Sequence, residues 1–357
     1  MSDPMLFDLE DVNGEGSLRS ATGLLRLLSC RGIGPRRAVA LATAYATWQN
    51  LAASSPTALR RVAGSAAASL AGTPEPRRPD PPPAGTRIVG VFDDDFPGFL
   101  RSLADCPAVL WVRGTVSPAP ALAIVGTRKP TAFGLRVTRQ AATEAAKRGA
   151  VVVSGLALGI DTAAHAACLE TGGTTVAVLG SGIDSPSLAS NRDLADQIVA
   201  SGGALISEVP PGTRPSAGTL VARNRLQSGL CRVVLVTQCG VPSGTLRIAG
   251  FAIEQGRVLA AVAPSGQPED EAACRGSAAL VDPGGCPPAL LGATGRQRDH
   301  QPRGGVGLQA GRDIEQPVAP AVPKSQGLQS ELGRHKGRRD GARGQARRVR
   351  SLTWRPT

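Results

Sequence analysis

The sequence predicts an α/β protein built on a doubly wound, mostly parallel sheet, preceded by a small helical domain and followed by a disordered basic tail. Three observations carry that prediction. Between residues 121 and 262, short and nearly continuous apolar strands alternate with helical stretches, the pattern of a parallel sheet covered on both faces. Residues 18–70 carry helix-spaced apolar positions broken by a glycine turn. After about residue 266 no period is sustained, and Gly, Pro, Gln and Arg dominate. The fold class is therefore Rossmann-like, in four parts: a helical module over 1–71, a proline-rich linker over 72–86, the sheet domain over 87–266 and a low-complexity tail over 267–357.

In the helical module, Leu24, Leu25, Leu27, Leu28, Ala38, Val39 and Leu41 supply the apolar faces. Gly32-Ile33-Gly34-Pro35 joins two helices, and Pro35 suits the first turn of the second. A turn of this kind can hold a DNA phosphate on backbone N–H groups, or can simply pack helices. The linker GTPEPRRPDPPPAGT is extended by composition and is expected not to pack. RIVGVF and Val109–Val112 then read as strands.

The regular part follows. Strands are expected at Ala121–Val125, Ala150–Ser154, Thr174–Leu179, Ala204–Ser207, Val233–Thr237 and Val258–Val262. Helices are expected at Gly134–Arg148, Asp161–Glu170, Asn191–Ala200, Arg223–Leu230 and Leu246–Gln255. Sheets of this kind bind ligands where loops leave the C-terminal strand ends. Four such loops stand out. Gly126-Thr127-Arg128-Lys129 offers a close backbone approach, a hydroxyl and a planar cationic fork. Ser154-Gly155 opens the run to Asp161 and ends at a helix N-terminus, where N–H groups favour an anion. Arg223-Asn224-Arg225 sets two cations around an amide, and Ser243-Gly244-Thr245 opens another helix with hydroxyls fit to cap it or to meet a phosphate. If the sheet is right, all four face one crevice, a phosphate-reading surface.

Charge and cysteine content narrow the classes. The net charge of +12 is uneven: residues 1–120 carry +1, 121–266 carry +5, 267–333 carry −2 and 334–357 carry +8. The last segment attracts polyanions without reading sequence. Seven scattered cysteines without a CxxC pair argue against a disulfide framework or zinc site. The acidic N-terminus lacks a signal-peptide core, and no apolar run reaches membrane-spanning length, so a cytoplasmic location without membrane contact is expected. Loss of pattern beside GC-rich composition also raises an out-of-frame ending from roughly residue 270.

The stretches AIVGTRKPTAFG, VVVSGLALGIDTAAHAACLETGGTTVAVLGSGID, NRDLADQI, LISEVPPGTRP, ARNRLQSGL and PSGTLRIAGFAIEQGR, in that order, resemble the DprA/Smf family of DNA-processing proteins. FDDDFPGFLRSLADCPAVLWVRG resembles the segment leading into that domain, and GIGPRRA the family's helical N-terminal domain. The resemblance implies a homodimer that binds single-stranded DNA, without cofactor or catalysis, and assists loading of the RecA recombinase in natural transformation. It implies that Gly126-Thr127-Arg128 sits in the DNA pocket, with the Arg223–Arg225 and Ser243–Thr245 motifs near the same face. Three positions depart from the family pattern: Leu220 where an aromatic is usual, Gln238 where an acid is often found, and Ile248 where a threonine is common. The family's C-terminal winged-helix domain is not recognisable.

The rival reading is a nucleoside-monophosphate phosphoribohydrolase, which needs a carboxylate soon after its glycine turn. Here Arg247 and Ile248 follow, and the next acid is Glu254. A dinucleotide enzyme would show GxGxxG after the first strand, which is absent. A RecA-binding scaffold is the third class. His165 reads as a packing residue, Ser154 lacks an evident base, and Asp161 is expected to tether its loop.

Overall fold

The structure is a computed structural model, and it describes residues 16–185 and 191–281. Expectations for the tail beyond 281, including the basic segment 334–357 and Cys286, lie outside the described residues.

Four helices come first among the described residues: α1 (Ala21–Ser29), α2 (Pro35–Ala44), α3 (Trp48–Ala52) and α4 (Pro56–Ala63), then a 3-10 turn at Ser65–Leu70. Their ends follow from side-chain chemistry. Ser20 caps α1 by accepting from the Gly23 N–H at 3.0 Å, Ser55 caps α4, and Pro35 occupies the first turn of α2 as expected. Leu24, Leu27, Leu41, Leu51 and Leu59 are fully buried.

Next come β1 (Thr86–Gly90), α5 (Gly98–Arg101) and β2 (Val109–Gly114). The alternating unit follows as β3 (Ala121–Gly126), α6 (Ala132–Lys147), β4 (Val151–Ser154), α7 (Ile160–Glu170), β5 (Thr175–Leu179) and α8 (Arg192–Ala200). It continues through β6 (Ala204–Ser207), α9 (Ala217–Gly229), β7 (Val233–Gln238), α10 (Gly244–Glu254), β8 (Val258–Ala261) and α11 (Pro268–Val281). One eight-stranded sheet runs β1-β2-β6-β5-β4-β3-β7-β8. The β1–β2 and β2–β6 pairs are antiparallel, and every other pair is parallel. Every residue of β4 and β5 is buried, which explains why these strands read as unbroken apolar runs.

Successive parallel strands proceed from β3 through β4 and β5 to β6, and the chain then returns to place β7 on the other side of β3. The order therefore reverses between β3 and β7. Such a reversal opens a crevice at the C-terminal strand ends.

Residues 73–83 form no helix or strand and none of them is buried, and the first of them meet the helical module. Trp48 Nε1 donates to the Thr73 carbonyl at 3.1 Å, and Glu75 pairs with Arg26. Leu24, Leu27 and Leu41 share one apolar cluster with Val109, Trp111 and Leu205 of the sheet. Helix α1 packs on β1 and β2. The ordered boundary expected at 266 is corrected, because α11 packs on β7 and β8 and buries Cys274 and Leu280. This helix also runs past 270, where the out-of-frame reading placed the end of the pattern.

Candidate functional site

A cavity of about 590 Å³ opens between the ends of β3 and β7. Its walls come from the β3–α6 loop (Thr127, Arg128), the β4–α7 loop (Ala157), the start of α9 and the start of α10. The loops are tied together by main chain. The Thr127 N–H donates to the Gln238 carbonyl at 2.8 Å, and the Ile160 N–H donates to the Thr127 carbonyl at 3.1 Å. Three of the four loops singled out by sequence therefore meet through backbone, and α9 joins them with side chains.

Gly126, Thr127, Arg128, Arg223, Asn224, Ser243, Gly244 and Thr245 all line this cavity. Arg128 is exposed, and no carboxylate lies within ion-pair distance of it among the described residues. Arg247, which the sequence reading did not select, is a second exposed cation on the wall, equally without a carboxylate partner. It lies three residues past Gly244, and that spacing on a helix is the signal that could have found it. At the α10 N-terminus the Ser243 Oγ accepts from the Thr245 N–H at 3.1 Å. The Gly244 N–H, lacking a carbonyl partner within the helix, stays at the cavity wall.

The remaining expected residues are placed differently. Lys129 is exposed but does not line the cavity. Ser154 is fully buried, with its Oγ donating to the Ile124 carbonyl at 2.7 Å. The Gly155 N–H donates to Asp161 Oδ2 at 3.2 Å, and so does the Ala157 N–H at 3.3 Å. These loop amides are thus taken up by a carboxyl group of the chain itself, and Asp161 tethers the loop as expected. Burial pushes the Asp161 carboxyl up, while the nearby Arg223 guanidinium opposes that shift.

Arg223 and Arg225 part company. Arg223 reaches under the crevice, 7% exposed, and its Nη1 donates to the Val178 carbonyl at 2.9 Å. Burial lowers its pKa and Asp161 raises it. Arg225 lies elsewhere, in a bidentate pair with Glu208 (2.7 Å to each oxygen) and a bond from Nε to Asp105 at 2.8 Å. It is a clamp between α9, the end of β6 and the segment before β2. The physical reason is helical geometry: positions two apart are turned by about 200°, so both cannot face one crevice.

The glycines also serve packing. A Cβ on Gly155 would lie 1.5 Å from Arg223 Nη1, and one on Gly126 would lie 2.5 Å from Ile160 Cγ1 and 2.8 Å from the Gln238 carbonyl oxygen. At both positions the missing Cβ leaves room for protein groups. Leu156 in the β4–α7 loop holds a φ of 56°, a left-handed conformation costing about 1–2 kcal/mol for such a residue. Asn191 Nδ2 secures that loop, donating to the Leu156 carbonyl at 2.9 Å and Thr162 Oγ1 at 3.2 Å.

The three departures have places too. Leu220 and Ile248 line the crevice. Gln238 is buried, taking the Thr131 N–H on Oε1 and donating through Nε2 to Thr131 Oγ1, both at 2.9 Å. It ties β7 to the start of α6. In the GIGPRRA turn, Arg36 donates to the Ala104 carbonyl at 2.7 Å and Arg37 to the Gly32 carbonyl at 2.6 Å. That turn is docked on its own chain.

His165 is buried, with Nδ1 at 2.7 Å from Thr175 Oγ1. The Thr175 hydroxyl donates to the Val152 carbonyl, so His165 Nδ1 carries the proton that Thr175 accepts, and the Nε2 lone pair has no partner. Burial lowers the His165 pKa to about 3. It packs as a neutral imidazole, the role its sequence context favours. Among the described residues no cluster of acidic, His and Cys side chains could hold a metal, and no helix is long and apolar enough to cross a membrane.

Comparison with known proteins agrees with this architecture. The chain is 42% identical over 171 residues to protein Smf of Synechocystis, covering 46% of this chain and 43% of that protein. It is 36% identical over 259 residues to the putative DNA processing protein DprA of Mycobacterium tuberculosis, covering 67% and 66%. The chain thus spans between 43% and 66% of the length of these two relatives. The crystal structure of DNA processing protein A from Streptococcus pneumoniae superposes with a TM-score of 0.58 at 27% identity, over 72% of this chain and 91% of that one. The sequence profile of DNA recombination-mediator protein A matches residues 87–285, the sheet domain together with α11. This chain therefore belongs to the DNA recombination-mediator protein A family, the DprA/Smf proteins.

Proposed function

We propose that the crevice holds single-stranded DNA and that the chain does no chemistry on it. As a homodimer in the cytoplasm, it would protect the strand and assist its loading onto RecA in natural transformation and recombination. One observation carries the reading. Among the described residues, Arg128 and Arg247 have no carboxylate partner in the crevice, while its carboxylate, Asp161, is held by loop amides beside Arg223. The uncompensated charge favours a polyanion. The cavity's size suits a short flexible segment. The names of the relatives tie them to DNA processing.

The hydrolase reading wants a carboxylate soon after the glycine turn, and the crevice's Asp161 is instead on the β4–α7 side and held by loop amides. Glu254 is in the last turn of α10, about 15 Å along the helix from Gly244. The test is a titration of a labelled oligothymidylate against a duplex of equal length, alongside an assay for base release from nucleoside monophosphates. Salt-sensitive binding that prefers the single strand, without base release, is expected. Duplex preference or base release would overturn the proposal.

A further inference from the structure

We propose that the nucleobases of the bound strand rest on an aliphatic rim formed by Leu135, Leu158 and Val241; this builds on the single-strand reading above. Among the described residues, five large apolar side chains are exposed: these three, Phe99 and Val258. The topology puts Leu135, Leu158 and Val241 on one edge. Leu158 is in the β4–α7 loop, Val241 in the β7–α10 loop and Leu135 in the first turn of α6. The strands β4, β3 and β7 are consecutive neighbours in the sheet, so their loops leave the edge within about 10 Å of one another.

Each of the three is anchored to the cationic β3–α6 loop. Gly159, next to Leu158, has a φ of +83° and presses so closely that a Cβ there would lie 2.6 Å from the Thr127 carbonyl oxygen. Val241 follows Gln238, whose carbonyl and side chain accept from the N–H groups of Thr127 and Thr131. The Leu135 N–H donates to the Thr131 carbonyl at 3.0 Å. The same edge thus also carries the exposed cations Arg128, Lys129 and Arg136.

That pairing selects the occupant. A chain with an anionic backbone and flat, largely apolar bases satisfies both features at once. A second copy of this protein would bring the same cations against themselves. Aliphatic side chains have no donors or acceptors, so the contact is blind to base identity. It supplies on the rim the apolar surface that Leu220 provides without an aromatic ring inside the crevice.

The test compares oligothymidylate with an abasic strand of the same length and charge, using wild type and the L158S/V241S double variant. Wild type is expected to bind the abasic strand several-fold more weakly. The double variant should lose about five- to tenfold in affinity for oligothymidylate and little for the abasic strand, with an unchanged salt slope and melting temperature. Equal loss on both strands would overturn the rim. So would unchanged affinity, including the case in which the variant alters sedimentation because the rim meets a second copy. Arg128→Ala on the same two strands separates the readings: it should weaken both, and no effect on either would overturn the phosphate crevice itself.

Discussion

Two groups of arginines within one crevice-forming domain behave in opposite ways. Arg128 and Arg247 stand on loops and helix starts at the C-terminal edge, exposed and, among the described residues, without carboxylate partners. Arg223 and Arg225 stand on α9, buried and committed to Val178, Asp161, Glu208 and Asp105. Residue type and proximity in sequence do not tell the two groups apart; what each guanidinium already touches does. The exposed pair has its hydrogen-bonding capacity left for a ligand, whereas Arg225 is engaged on every side by the fold and Arg223 is held by Val178 with its Nε still without a partner among the described residues.

Substitution should separate these groups cleanly. The largest effect is expected from Arg225→Ala, which leaves the partly buried Glu208 carboxylate without its bidentate partner. A loss of about 3 kcal/mol in chemical denaturation is expected, the scale of breaking a buried pair from one side. Asp105 is about half exposed and adds little, because water screens it. A variant as stable as wild type would place Arg225 with the ligand-facing group.

Next comes a pH effect from the interior beside Arg223. The folded state holds His165 neutral down to about pH 3, whereas the unfolded chain takes up that proton near 6.5. The stability contribution is therefore complete above pH 6.5 and is lost as pH falls toward 3. By pH 5 the loss is about 2 kcal/mol. His165→Gln should flatten that part of the stability profile; an identical slope in the variant would mean that the imidazole is not held neutral.

Arg128→Ala belongs to the other group. Single-strand affinity should fall by about 1–3 kcal/mol, with folding stability changed by less than about 0.5 kcal/mol. An unfolded variant, or full affinity, would erase the contrast. The smallest effect is expected from removing residues 334–357. This should reduce nonspecific attraction and flatten its salt dependence while keeping the Arg128-dependent part.

Much of the fold was readable because the parallel strands are buried on both faces and their helices are well separated. The crevice was readable from the same source, since strand order dictates which loops meet. Three features were not. The start of α9 was placed at Arg223, although Ser216 and Thr219 form a reciprocal cap that starts the helix at Ala217. The signal was present, but threonine in place of the usual Glu or Gln made it weak. Helix α11 was lost in the surrounding Gly and Pro, yet Pro268 followed by Glu269, Asp270 and Glu271 is a sound helix start. Its Gly276 fits against Cys239 and Gly240, where a Cβ would lie 2.6 Å from the Gly240 carbonyl oxygen. The third feature, the division among the arginines, depends on partners more than a hundred residues away, such as Asp105 for Arg225, which no local pattern contains.

The most direct measurement is the salt dependence of oligothymidylate binding by wild type and by the R128A/R247A double variant. Each phosphate contact on a single strand contributes about 0.7 to the slope of log affinity against log salt. The crevice account predicts a slope shallower by about 1.4 in the double variant, with the folding transition preserved. An unchanged slope in a folded double variant would contradict it.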